Sequence, residues 1–147
     1  MPALNSTPHI LMCPPDFYGI EYEINPWMRR DRQADHPLAV RQWNNLKSLL
    51  EDAGAKISLL KPVAGLPDLV FTANAAMIYR EQAVLARFRH EQRQREEPVD
   101  QAWLEAHGFA VRLAPEGVYF EGAGDALFCG DTLYAGYRIR SEPVGTS

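Results

Sequence analysis

Asp68 and Asn74 lie six residues apart, on either side of the apolar pair Val70-Phe71, in the stretch Leu66 to Tyr79. Read as an extended segment, this stretch would turn Asp68, Val70, Thr72 and Asn74 to one face. Two short side chains able to accept N–H donors, with an aromatic ring beside them, suit a planar cation such as a guanidinium. The same residues also fit a blander arrangement, in which Pro67-Asp68 makes a turn and Asn74 ends a strand. Spacing alone leaves both open.

The other residue types that carry chemistry narrow the field. Cys13 and Cys129 make neither a disulfide framework nor a zinc set, and neither has a base beside it in sequence. His9, His36, His90 and His107 lack metal-site spacing and read as structural or solvated. No metal and no cofactor is expected. A net charge of −4 argues against a nucleic-acid partner. Twelve arginines against three lysines fit planar anion recognition, or merely genome composition. No apolar run approaches the roughly 20 residues of a membrane span and no signal peptide opens the chain. A cytoplasmic protein without a membrane partner is the expectation. At 147 residues, one domain with a real core is expected.

Alternating strands and helices must position these groups, so the expected class is α/β. His9 to Cys13 reads as a strand stopped by Pro14-Pro15. Asp16 to Met28 is aromatic-rich without helical period, an ordered loop that either walls a pocket or caps a core. Pro37 to Ala53 is the clearest helix, with Ala39, Trp43, Leu46, Leu50 and Ala53 at helical spacing. Lys56 to Pro62 follows as a strand. Ala75 to Phe88 reads as a hairpin around Arg80-Glu81-Gln82. Arg87 to Glu97 is a mixed-charge run of the kind that forms a solvated loop. Pro98 to His107 is a second helix, with Val99, Trp103 and Ala106 on its stripe. Phe109, Val111 and Leu113 alternate as a strand. Asp125 to Cys129 and Thr132 to Tyr137 form a second hairpin around Gly130-Asp131. The tail from Arg138 to Ser147 shows no closing element.

The chain also matches itself. Shifted by 49 residues without a gap, Phe71 to Arg89 lies on Phe120 to Arg138, with Phe71/Phe120, Ala86/Ala135 and Arg89/Arg138 identical. The element order recurs with it as a ββαβ unit. Such periods mean arrays, because one unit cannot bury its apolar face alone. The length allows three units, the third incomplete.

Four segments together resemble the N-terminal part of the guanidino-group-modifying enzymes. They are Met12-Cys13-Pro14-Pro15, Ile24-Asn25-Pro26-Trp27-Met28, Pro67-Asp68-Leu69-Val70-Phe71-Thr72-Ala73-Asn74-Ala75 and Phe120-Glu121-Gly122-Ala123-Gly124-Asp125. That superfamily includes arginine deiminases, dimethylarginine dimethylaminohydrolases, amidinotransferases and arginine dihydrolases, and the second and third segments look most like the dihydrolases. The resemblance implies a partial pentein, an α/β propeller of ββαβ units, across residues 1–147. It implies cysteine-based hydrolysis of a guanidino C–N bond in a parent enzyme acting on a substrate such as arginine.

Residue by residue, the resemblance implies that Asp68 and Phe71 belong to the substrate site. Asn74 stands where deiminases carry a second Asp, which removes a charge and adds N–H donors. Glu121 matches the buried guanidinium-binding carboxylate and is the one catalytic candidate, although Glu-Gly-Ala-Gly-Asp has one residue more than the usual Glu-Gly-Gly-Asp. Asn25 would line the channel. Arg140 resembles the arginine that grips the substrate carboxylate, and Arg93 is a candidate for the same task or a solvated loop residue. The superfamily's nucleophilic Cys and catalytic His have no match here, so the chain alone is expected to be inactive and truncated before them. An amidinotransferase relative, or a non-catalytic module that oligomerises or pairs with a second half, are the alternatives. Homo-oligomerisation is expected from the open edges of a partial ring.

Overall fold

A computed structural model describes residues 7–138 and 140–141. They divide into two compact units, Met1–Val70 and Phe71–Ser147.

In the first unit, β1 (His9–Met12) pairs in parallel with β2 (Lys56–Leu59), His9 opposite Lys56 and Met12 opposite Leu59. Parallel strands need a crossover, and α1 (His36–Asp52) supplies it. Asp35 caps the helix by accepting the Leu38 N–H at 2.9 Å, and Pro37 sits in the first turn, where its missing N–H costs nothing. The predicted apolar stripe is only half covered. Trp43 and Leu50 are half-buried, Leu46 and Ala53 are exposed, and no residue of α1 is fully buried. A helix of about 25 Å lies over strands of about 13 Å, so its ends overhang. The aromatic loop before α1 is tied down by polar side chains. Gln33 exchanges hydrogen bonds with the backbone of Ile20, and Glu23 accepts the Arg30 N–H at 2.8 Å.

In the second unit, β3 (Ala76–Tyr79) and β4 (Gln82–Leu85) form an antiparallel hairpin with Tyr79 opposite Gln82. The connection is the two-residue turn Arg80-Glu81, and Gln82 belongs to the strand, not to the turn as predicted. Arg80 takes φ +56° to make that turn. β4 then pairs in parallel with β5 (Ala110–Leu113) through α2 (Glu91–Gln94) and α3 (Glu97–Ala106). This is the ββαβ unit expected from the sequence. Its core is Ala76, Ala83, Leu85 and Leu104, packed by Trp103, Phe109 and Val111. The stripe of α3 differs from the prediction: Leu104 and Asp100 are buried and Ala106 is exposed.

β6 (Ala126–Cys129) and β7 (Thr132–Ala135) make the second hairpin, with Gly130 at φ +61° in the predicted turn. The predicted tail after Ser141 lies outside the described residues, as does residue 139.

The repeat is present, but its spacing is 50 residues and not 49. The 3-10 turns Thr72–Asn74 and Gly122–Gly124, the strand pairs, and the left-handed Arg80 and Gly130 all correspond at that offset. So do the bonds that close each hairpin, Ala86 N to Ala75 O at 2.9 Å and Gly136 N to Asp125 O at 2.8 Å. In a strand, a slip of one residue turns every side chain to the other face. Ile78 therefore corresponds to Phe128 rather than Leu127, and the Phe71/Phe120 identity is not an equivalence. Phe120 is buried and bridges Arg87, whereas Phe71 is 46% exposed.

Candidate functional site

Leu66 to Asn74 is not extended. Pro67–Val70 and Thr72–Asn74 are successive 3-10 turns, closed by Leu69 N to Leu66 O at 3.3 Å and Asn74 N to Phe71 O at 2.9 Å. Pro67 fixes a compact φ at the start, and Thr and Asn compete well in tight turns. A period of two cannot apply there, so the predicted shared face of Asp68, Val70, Thr72 and Asn74 does not exist. The blander half of the sequence reading was right about the turn.

In the first unit, Asp68 is buried and its Oδ2 accepts the Tyr22 hydroxyl at 2.9 Å. The aromatic loop thus reaches this carboxylate. Asn25 is exposed, and its Oδ1 accepts the N–H groups of Trp27 and Met28 at 3.0 and 3.1 Å. That side-chain oxygen shapes its own turn.

In the second unit, four of the sequence-nominated residues meet. Asn74 is buried; its Nδ2 donates to the Glu121 carbonyl at 3.4 Å and its Oδ1 accepts from Arg93 Nη1 at 3.2 Å. Glu121 is 3% exposed. Its N–H donates to Ser141 Oγ at 3.1 Å, and its Oε2 lies 3.6 Å from Arg140 Nη1. Arg140 also reaches Asp125 Oδ1 at 2.5 Å and the Gly124 carbonyl at 3.3 Å. Ser141 Oγ donates to Asp125 Oδ2 at 2.7 Å. The Arg140 side chain keeps 47% exposure, so this cluster is buried at its carboxylate and open at its guanidinium.

Two glycines make the meeting possible. A Cβ on Gly124 would stand 2.3 Å from Asn74 Nδ2. Gly122 takes φ +58°, and a Cβ there would come within 2.9 Å of the backbone of Ala76 and Asn74. Glu-Gly-Ala-Gly-Asp is a close backbone junction between the two hairpins.

The mixed-charge run is not a solvated loop. Arg93 is buried, gives Nε to Glu96 Oε1 at 3.0 Å and Nη2 to Glu96 Oε2 at 2.7 Å, and lies 4.3 Å over the Phe88 ring. A bidentate partner is what lets a charge leave water. Arg93 therefore holds Asn74 from one side while Glu121 holds it from the other. Glu96, Asp125 and Ser141 were not nominated from sequence as site residues. The Arg93/Glu96 spacing of three, on one side of a helical turn, was the available signal for Glu96.

Burial, and then the neighbouring Glu96, push the Asp100 carboxyl up to about 7, with Arg93 pulling the other way. Burial also raises Glu97, against the Phe88 N–H that it accepts at 2.7 Å and against Arg87. Cys13 is buried with Sγ 3.6 Å from the Pro14 carbonyl, and Cys129 is exposed at the end of β6. Among the described residues, no group of His, Cys, Asp and Glu is arranged to hold a metal ion, and no helix is long and apolar enough to cross a membrane.

No protein-family model matches the chain. It is 49% identical over 136 residues to the bifunctional arginine dihydrolase/ornithine cyclodeaminase ArgZ of Synechocystis, covering 90% of this chain and 19% of that protein. It is 37% identical over 131 residues to the N(G),N(G)-dimethylarginine dimethylaminohydrolase of Mycobacterium tuberculosis, covering 89% of this chain and 43% of that one. Among solved structures it superposes on the N-terminal domain of ArgZ bound to substrate, described as an arginine dihydrolase, with a TM-score of 0.87 at 48% identity. That match covers 92% of this chain and 51% of that domain. The chain thus spans about half of the domain it superposes on and less than half of either curated relative. The ββαβ pattern, the four motifs and these likenesses agree: the chain is a member of the pentein guanidino-modifying superfamily, homologous to its arginine dihydrolases and dimethylarginine dimethylaminohydrolases.

Proposed function

We propose that residues 1–147 form the N-terminal, substrate-binding part of an arginine-type amidino hydrolase with a pentein domain. The observation that carries this reading is the buried Glu121 carboxylate, 3.6 Å from a guanidinium that reaches in from the half-exposed Arg140. A buried carboxylate that already accommodates one guanidinium has the charge and shape for another.

In this reading Glu121 holds the guanidino group of the ligand and Phe71 presents its exposed ring to that plane, while Asp68 and Asn25 are the ligand-binding residues of the first unit. Asn74 contacts the reacting end. Arg140 leaves Glu121 when the ligand enters and takes the ligand's carboxylate, whereas Arg93, a sequence candidate for that task, is committed to Glu96 and Asn74 and supports Asn74 instead. Glu121 is the catalytic residue among them, because holding the guanidinium more tightly as its carbon becomes tetrahedral lowers the barrier. The covalent step belongs to a thiolate in the parent enzyme. Neither Cys13, facing the Pro14 carbonyl, nor Cys129, at the tip of a hairpin, suits that part. The chain alone binds arginine and does not turn it over.

Two measurements test this. Calorimetric titration with arginine should show binding that Glu121→Gln weakens about tenfold or more, as expected for losing an ionic hydrogen bond. Incubation with arginine, followed by assay of ammonia, citrulline and ornithine, should show no turnover. Robust turnover would overturn the reading.

A second reading has its own observation. Leu127, Leu133, Tyr134 and Tyr137 expose much of their apolar surface around β6 and β7. Such a surface favours self-association or pairing with a second half in the cytoplasm. Light scattering that finds a clean monomer would remove it.

A further inference from the structure

The Arg93–Glu96 pair is buried on every side and stands outside the chemistry assigned above. Glu96 is 1% exposed, yet it lies in a short polar stretch between α2 and α3 that would ordinarily be wet. Burying a carboxylate is costly, and a pair between two neighbouring turns contributes little stability beyond its own desolvation. Its geometry does have a consequence. Glu96 takes Nε and Nη2 of Arg93 in a bidentate fork at 3.0 and 2.7 Å, and the fixed plane of the guanidinium then aims Nη1 at Asn74 Oδ1, 3.2 Å away. Phe88 supports the plane from one face at 4.3 Å.

We infer that Glu96 is a positioning residue: through Arg93 it fixes the Asn74 side-chain amide with its oxygen turned to the guanidinium and its NH2 group turned to the Glu121 end of the cluster. The reverse orientation would set NH2 against guanidinium N–H, donor on donor. Gly124 leaves room for that NH2 group, since a Cβ there would clash with Nδ2. The consequence is chemical. An aspartate at position 74 would offer only acceptors, whereas the locked asparagine offers a donor, which matches an atom with a lone pair. Candidates are a departing amine nitrogen, an attacking water or a ureido oxygen. A guanidinium N–H is excluded as its partner. Glu96 thereby sets a specificity of the site without touching the ligand.

That Asn74 faces a guanidino ligand rests on the function proposed above; the Glu96–Arg93–Asn74 linkage does not, and the experiment separates them. In the full 147-residue chain, NMR of the Asn74 side-chain NH2 and the Arg93 Nε–H should show both protected from exchange. Glu96→Gln should shift both and speed exchange of the Asn74 amide about tenfold or more, and Glu96→Asp should restore part of the protection. The Trp103 indole N–H should stay put, which a general loss of structure would not permit. An Asn74 amide unmoved by Glu96→Gln overturns the inference. Should Glu96→Gln fail to fold, the unaltered chain still decides: a fast-exchanging Arg93 Nε–H overturns the bidentate lock, and a protected one supports it. Arginine is then added. A shift at Asn74 that Glu96→Gln weakens at least tenfold supports the whole scheme. A linkage that passes the first arm, with no response of Asn74 to arginine, overturns the proposed function and leaves the linkage standing.

Discussion

The two hairpins of the second unit share a backbone plan and differ in everything that surrounds it. Each enters through a 3-10 turn, reverses in a two-residue turn with a left-handed first residue, and closes with the same hydrogen bond, 50 residues apart. In the first hairpin, β4 takes β5 on its free edge and α3 covers it, so Ala83 and Leu85 are buried. In the second, Leu127 and Tyr134 face each other across the ladder and are both exposed. Local sequence is enough to make the hairpin. Its stability depends on what is packed against it.

The largest effect that would sharpen this contrast is a pair of truncations. Leu85→Ala should cost about 2–5 kcal/mol, because it opens a cavity in a closed core, while Leu133→Ala should cost less than about 1 kcal/mol. Urea unfolding of both variants checks it, and equal losses would break the comparison.

Next comes α3, the helix that covers the first hairpin. Asp100 is buried on it, and its carboxyl is pushed up to about 7 from the ordinary 3.8. Between those two pH values the folded chain keeps a proton that the unfolded chain has released, so stability falls as pH rises through the window and levels off above about 7. Asp100→Asn should therefore be more stable than the parent at pH 8, by about 2–4 kcal/mol, with the gap closing toward pH 4. Melting temperatures at several pH values would show it. A gap that widens on acidification would contradict the burial of Asp100.

A smaller effect concerns the junction of the two hairpins. Gly122→Ala meets both a left-handed backbone and the backbone of Ala76 and Asn74, and should cost about 2 kcal/mol and weaken arginine binding with it. Ala123→Gly, one residue on, should leave binding within about twofold, since it removes only a half-buried methyl group.

The smallest effect lies in the turns. Gly130→Ala should lose about 1 kcal/mol at φ +61°, whereas Arg80→Gly should gain up to about that much at φ +56°, less what the Arg80–Tyr79 ring contact contributes. Opposite signs at matched positions would confirm that both turns are one geometry.

Element order was legible because it rests on local signals. Asp35-His36-Pro37 starts a helix by capping, and Gly130-Asp131 reverses a chain by its φ preference. The repeat was legible as well, but its register was misread by one residue. An ungapped match rewards identities such as Phe71/Phe120 and has no knowledge of which face a side chain occupies. The charged run from Arg87 to Glu97 was misread for a different reason: composition reports how a residue would behave in water, not whether a partner awaits it.

The sequence by itself determined the α/β order, the turn positions, the four motifs and hence the superfamily, because capping, turn chemistry and motif spacing are properties of neighbours along the chain. Tertiary structure alone decided that Asn74, Arg93, Glu121 and Arg140 form one cluster and that Glu96 stands behind it. Those outcomes depend on desolvation and on bidentate geometry between groups as much as 47 residues apart. Such energies do not exist until the chain has folded.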